Sequence, residues 1–324
     1  MNQKTIRKMI LLSGCTALSI HLANKLTFYT ATLKNLLDDS KGEIYNWRFG
    51  KIFYNRYGSG SPLLLLHDLH PASSGSEWRK LIGQLSKSHT IYVLDLFGCG
   101  RSEKTNITYT NFLYVQLISD FVKDVIKHKT NVIATGMSCS FTLMACFHNP
   151  IYFNKLIILN PLALRQLNKA PSKRTKTLKL MINSPVIGTL IYNILAAKHM
   201  IKQCFQEQYY YDPDKLEQQD LDIYYEAAHQ KGAVSKFLFS SLKSNYLNLN
   251  IIHALKEINH SIYFIGGSDY SDIYNTAEEY CSYNPAIETE FIKECKYLPQ
   301  LEKPEELLEL LSIYLEKEEQ SSKP

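Results

Sequence analysis

The chain has 324 residues, 45% hydrophobic and 21% charged, with a formal net charge of +5 and a pI near 8.6. That is enough apolar content for a large core, which excludes a disordered chain, and the mild charge without any Lys/Arg block gives no reason to expect nucleic acid binding. The seven cysteines, at 15, 99, 139, 146, 204, 281 and 295, show neither C-x-x-C pairing nor zinc-type His spacing, and no metal, nucleotide or flavin cofactor is expected.

Residues 1–30 read as a targeting or anchoring segment. Lys4, Arg7 and Lys8 precede the apolar run Met9–Ile20, which continues more weakly to Tyr29. A retained signal anchor, a cleaved signal peptide, a lipoprotein signal at Leu12-Ser13-Gly14-Cys15 and an ordinary packed helix are the alternatives. His21, Asn24 and Lys25 interrupt the run, so the expectation is a marginal helix that tethers the chain to a membrane or lies at its surface.

From Glu43 to Tyr57, aromatic and β-branched residues alternate with polar ones around Gly50, which predicts an edge hairpin. Leu63–Leu66 is wholly apolar, as a strand buried on both faces would be, and leads into His67-Asp68-Leu69-His70-Pro71. A helix over Trp78–Leu85, a buried strand over Thr90–Asp95 and a helix over Tyr114–Ile126 follow, an alternation that implies a mostly parallel sheet. Next comes NVIATGMSCSFTLM, residues 131–144, read as a strand, a sharp turn and a helix start. A G-x-S-x-G nucleophile elbow has this context, and reading Gly136-Met137-Ser138-Cys139-Ser140 in that register puts Ser138 at the tip.

The ordered motifs LLLLHD, DLFGCGRS, GMSCS, KLIILNP, IYFIGGSD and YLPQLEKPEEL resemble the α/β-hydrolase superfamily over roughly residues 45–316. The resemblance implies an α/β-hydrolase fold, with a core formed by residues 43–161 and 251–316. A helical cap over residues 162–250 would roof the nucleophile, and residues 317–324 would be a frayed tail. Within the cap, Leu178–Ile182, Val186–Lys202, Lys215–His229 and Val234–Ser244 read as helices. Tyr209–Tyr211 and Phe237–Phe239 are candidates to line an apolar cavity. The cluster from Arg165 to Lys179 is a basic patch without acids, either a solvated face or one turned to anionic lipid.

By resemblance, Ser138 is the nucleophile, Asp269 the triad acid, and the backbone N–H groups of Leu69 and Cys139 the oxyanion donors. Asp68 stands where the family has glycine, which brings a carboxylate to the oxyanion loop. The catalytic histidine is replaced by Tyr297, and no histidine follows Asp269. A phenol with an ordinary pKa near ~10 is a poor base for a serine hydroxyl. His70 and His229 are candidate substitutes for the base, and Cys139 a candidate alternative nucleophile. Two readings follow: a membrane-tethered ester or lipid hydrolase with impaired turnover, and a pseudo-hydrolase that either binds a small apolar, ester-like or lipid-like ligand or serves as a protein-interaction module.

Overall fold

The computed structural model describes residues 3–38 and 40–316; the expected tail over 317–324 lies outside them. Eight strands form one sheet: β1 (Glu43–Trp47), β2 (Gly50–Tyr57), β3 (Ser61–Leu66), β4 (His89–Leu94), β5 (Thr130–Thr135), β6 (Phe153–Leu159), β7 (Ile262–Gly267) and β8 (Glu288–Ile292). Their order is β1-β2-β4-β3-β5-β6-β7-β8, antiparallel across β1/β2 and β2/β4 and parallel from β4 to β8. This is the sheet that the motif order implies.

The all-apolar central strands serve two cores at once, because successive side chains point to opposite faces. In β3, Leu64 and Leu66 join Phe121 and Phe141 on one side, while Leu63 and Leu65 join Trp78 and Leu81 on the other. Helices cover both faces. After α1 (Gln3–Ala31), these are α2 (Arg79–Leu85), α3 (Asn111–Phe121) and α4 (Met137–His148) in the first half of the chain.

Between β6 and β7 the chain leaves the sheet and forms a helical insertion. It comprises α5 (Leu164–Leu167), α6 (Lys173–Asn183), α7 (Ile187–Leu195), α8 (Lys198–Cys204), α9 (Gln218–His229) and α10 (Ser235–Lys243). The single helix expected over Val186–Lys202 is two, broken at Ala196-Ala197, where Ala197 is extended and starts α8. The chain returns through α11 (Ile252–Glu257) and ends with α12 (Ile273–Tyr283), α13 (Pro299–Glu302) and α14 (Pro304–Glu316).

α1 is long and apolar enough to cross a membrane. Its polar interruption has a local use: Asn24 is buried, donates to Val186 O at 3.0 Å and accepts from Asn193 Nδ2 at 3.0 Å. The C-terminal third of α1 is thereby docked on α7, while Ile6 to Leu18 stay exposed.

Candidate active site

The site forms at the carboxyl ends of the central strands, where four segments converge. One is the loop after β3, carrying Asp68 and Leu69; the second is the β5–α4 turn. The other two are the loop after β8, carrying Tyr297, and the insertion above.

The β5–α4 turn corrects the expected register. β5 ends at Thr135, α4 begins at Met137, and the single turn residue is Gly136, with φ +59° and ψ −123°. A residue at positive φ between a buried strand and a helix is the tip of the elbow, and glycine holds that conformation without steric cost. Ser138 is therefore not at the tip. It is the second residue of the helix, fully buried, and its hydroxyl donates to His67 O at 2.6 Å. The sequence did carry a signal for this register: Ala134 and Ser138 are the small residues that flank Gly136 at two positions either side.

Cys139 is likewise turned away from the site. Its N–H donates to Gly136 O at 3.3 Å, and its thiol is directed at Ala134 O. The N–H that faces the site is that of Met137, immediately after the tip. With Leu69 N–H, which was expected there, it forms the pair of donors that an oxyanion would need.

That pair is already engaged. Asp68 Oδ1 accepts from Leu69 N at 2.8 Å and from Met137 N at 2.9 Å, and Asp68 Oδ2 accepts from Tyr297 Oη at 2.7 Å. Burial raises the Asp68 pKa, against the three donors, which favour the carboxylate. Burial, and then the charge of Asp68, holds the Tyr297 phenol well above its ordinary range, so Tyr297 is a donor here and not a base. A methyl group added at Gly136 would overlap Tyr297 Oη and the Asp68 carboxyl. Tyr297 and Asp68 thus fill the space that a side chain at the elbow would need.

Both partners are held from behind. His67 is fully buried; its Nδ1 pairs with Asp68 O at 2.7 Å, and its Nε2 accepts from Leu96 N at 3.0 Å. Burial lowers its pKa to about 4, so the ring is neutral, with the proton on Nδ1. The Tyr297 ring stacks on Tyr209 at 5.4 Å and packs against Tyr270 at 4.9 Å. Asn160, which sequence reasoning did not single out, donates to Lys296 O and Tyr297 O and accepts from Gly267 N, tying the Tyr297 loop to the ends of β6 and β7.

Asp269 does not join this group. It is exposed, and its carboxylate accepts from Ser268 Oγ at 2.6 Å, while the Tyr297 hydroxyl goes to Asp68. Neither candidate histidine serves as a base for Ser138. His229 Nδ1 pairs with Tyr225 O, and His70, whose pKa burial lowers to about 3, accepts from Ala72 N through Nδ1.

Two neighbouring cavities lie above the site. One, about 360 Å³, has Asp68, Leu69, Met137 and Tyr297 in its wall together with Gln166, Gln208, Asn245 and Asn248. The other, about 290 Å³, is apolar and lies within the insertion, against Ile182, Tyr192, Ile201 and Phe239. His70, Tyr209 and Lys243 belong to both walls. Of the expected aromatic candidates, Tyr209 and Phe239 line a cavity. Tyr210 is buried in the core, Tyr211 is exposed, and Leu238 packs into the main core.

Residues 63–310 match the family model described as the alpha/beta hydrolase family. The chain belongs to the α/β hydrolase family. Among relatives of this α/β hydrolase, proline iminopeptidase of Heyndrickxia coagulans is 22% identical over 286 residues, 82% of this chain and 95% of that one. The 2-hydroxy-6-oxo-6-(2'-aminophenyl)hexa-2,4-dienoic acid hydrolase of Metapseudomonas resinovorans is 25% identical over 108 residues, which span 33% of this chain and 37% of that enzyme. Among solved structures, the epoxide hydrolase CorEH superposes with a TM-score of 0.69 at 19% identity, covering 85% of this chain and 98% of that one. The carboxylesterase CesB of Bacillus subtilis gives 0.66 at 15% identity, covering 92% and 99%. At these identities the structural likeness speaks for the fold.

Proposed function

We propose that this α/β hydrolase does not hydrolyse, and that it binds a small amphipathic, lipid-like ligand across the two neighbouring cavities. The carrying observation is the Asp68 carboxyl seated on the Leu69 and Met137 N–H groups and on the Tyr297 hydroxyl. Two N–H donors converging on one oxygen are what an acyl-transfer enzyme reserves for the transition state. Here an internal carboxylate takes them in the ground state, so they have nothing left to give a substrate. The elbow residue, Gly136, has no side chain to attack with.

The cavities support the ligand class. The chamber walled by Gln166, Gln208, Asn245 and Asn248 suits a polar head, Lys243 in both walls is a cation for an acidic one, and the apolar chamber suits a hydrocarbon chain. The membrane-crossing length of α1 supports a tethered location, where such ligands are abundant.

The test is incubation of the purified full chain with dansylundecanoic acid and, separately, with a p-nitrophenyl decanoate ester. Saturable dansyl binding with the ester recovered intact is expected. Ala196→Trp, which fills the apolar chamber, should abolish the binding. Turnover of the ester that depends on the folded chain would refute the reading.

A further inference from the structure

The insertion has an outer face that the ligand-binding reading leaves unused. On α6 and α7, Leu180 is 72% exposed, Ile187 61%, Ile194 55% and Met181 54%. Isolated exposed apolar side chains are ordinary, but a cluster on one helical hairpin marks a contact surface. The turn between the two helices, which are bent by 101° to one another, is tied down: Lys236 Nζ donates to Ser184 O and Thr189 Oγ1, and Gly188 N donates to Ser184 Oγ. These side chains are therefore presented, not left loose.

Three independent features say what covers this face. Asn24 of α1 is bonded to Val186 O, so the exposed apolar stretch of α1 begins beside Ile187, the next residue of the hairpin. Lys173, Arg174 and Lys176 are exposed on α6, and neither α6 nor α7 contains an acidic residue. Basic side chains bordering an apolar helical face are the chemistry of attachment to anionic lipid. Finally, Leu178 and Leu195 line the apolar chamber and are themselves exposed, so the chamber reaches the surface at the border of this face, one helical neighbour from Met181 and next to Ile194.

We infer that the outer face of α6 and α7 docks on an anionic lipid leaflet beside α1, with the apolar chamber opening into lipid instead of water. α1 holds the chain at the bilayer, and the hairpin fixes which side of the insertion turns toward it. The inference goes beyond the ligand-binding reading and stands or falls without it.

The test uses the full chain in phosphatidylcholine vesicles with brominated acyl chains, with and without phosphatidylglycerol. Leu180→Trp and Leu195→Trp report the docking face, and Met181→Trp is a second reporter should either fail to fold. Ile151→Trp, 74% exposed just before β6, is the control. Tryptophan at 180 and 195 should be quenched at least about twofold more than at 151 in vesicles containing phosphatidylglycerol. Combining Lys173→Gln, Arg174→Gln and Lys176→Gln should remove most of that difference. Equal quenching at 180 and 151 in vesicles that retain the chain would overturn the inference. So would blue-shifted, unquenched emission from the Leu180→Trp variant together with crosslinking of that position to a second copy of the chain.

Discussion

Tyr297 Oη donates to Asp68 Oδ2 at 2.7 Å, joining residues 229 positions apart directly opposite Gly136. Together they form a closed hydrogen-bonded unit, in which a phenol and two backbone N–H groups satisfy one buried carboxyl. Its consequences can be measured one residue at a time.

Asp68 is a structural acceptor. Asp68→Leu leaves two buried N–H groups and a phenol without a partner, and should destabilise the fold by about 2–5 kcal/mol in urea unfolding. Asp68→Asn can still offer its oxygen to the N–H pair and its amide N–H to the phenol, so it should cost less than about 1 kcal/mol.

Gly136 is held open by what opposes it. Gly136→Ser in the native background combines a positive φ with overlap onto Tyr297 and Asp68, and should cost about 2–5 kcal/mol. Adding Asp68→Gly and Tyr297→Ala should recover much of that loss, because the three sites are in direct contact and their effects do not add.

Ser138→Ala removes one buried hydrogen bond to His67 O and should lower stability by about 1 kcal/mol, with dansylundecanoic acid binding unchanged. Loss of ligand binding without loss of stability would place Ser138 in the binding machinery.

Glu77 gives the chain a pH signature. Burial, and then the nearby Asp68, raises its pKa to about 8; its Oε1 accepts from Tyr224 Oη at 2.8 Å. A carboxyl whose pKa is higher folded than unfolded keeps a proton that the unfolded chain has released, so stability falls as pH rises from the ordinary Glu range toward 8. The thermal midpoint should therefore drop between pH 5 and pH 8 more steeply in the wild type than in Glu77→Gln.

The fold was legible because its signals are local. Leu63–Leu66 and the strand before the elbow are apolar on both faces, and strands alternating with helices leave few topologies. That Tyr297 belongs to the site was an expectation drawn from the Leu-Pro-x-x-Glu-x-Pro segment after it, and the structure puts its ring in the cavity wall beside Asp68. The elbow tip, Gly136, lies two residues before the serine that a G-x-S-x-G pattern selects. What defines the tip is a backbone angle, and the flanking small residues Ala134 and Ser138 signal it only weakly. Asp68 could be flagged as a carboxylate in a glycine position, but its direction depends on Met137 and Tyr297, which arrive from distant parts of the chain. Asn24 looked like a defect in an apolar helix, because its partners Val186 and Asn193 lie more than 160 residues away.

The central claim is that Ser138 is not an activated nucleophile and that none of the other described serines is. The most direct measurement is intact mass after exposure to an activated phosphonate serine probe, on the wild type, on Ser138→Ala, and on the combined Asp68→Gly, Gly136→Ser, Tyr297→His variant. The wild type should carry no adduct and match Ser138→Ala, while the combined variant, with a hydroxyl at the elbow tip, a freed donor pair and an imidazole, should be labelled. A stoichiometric adduct on the wild type that disappears in Ser138→Ala would contradict the account.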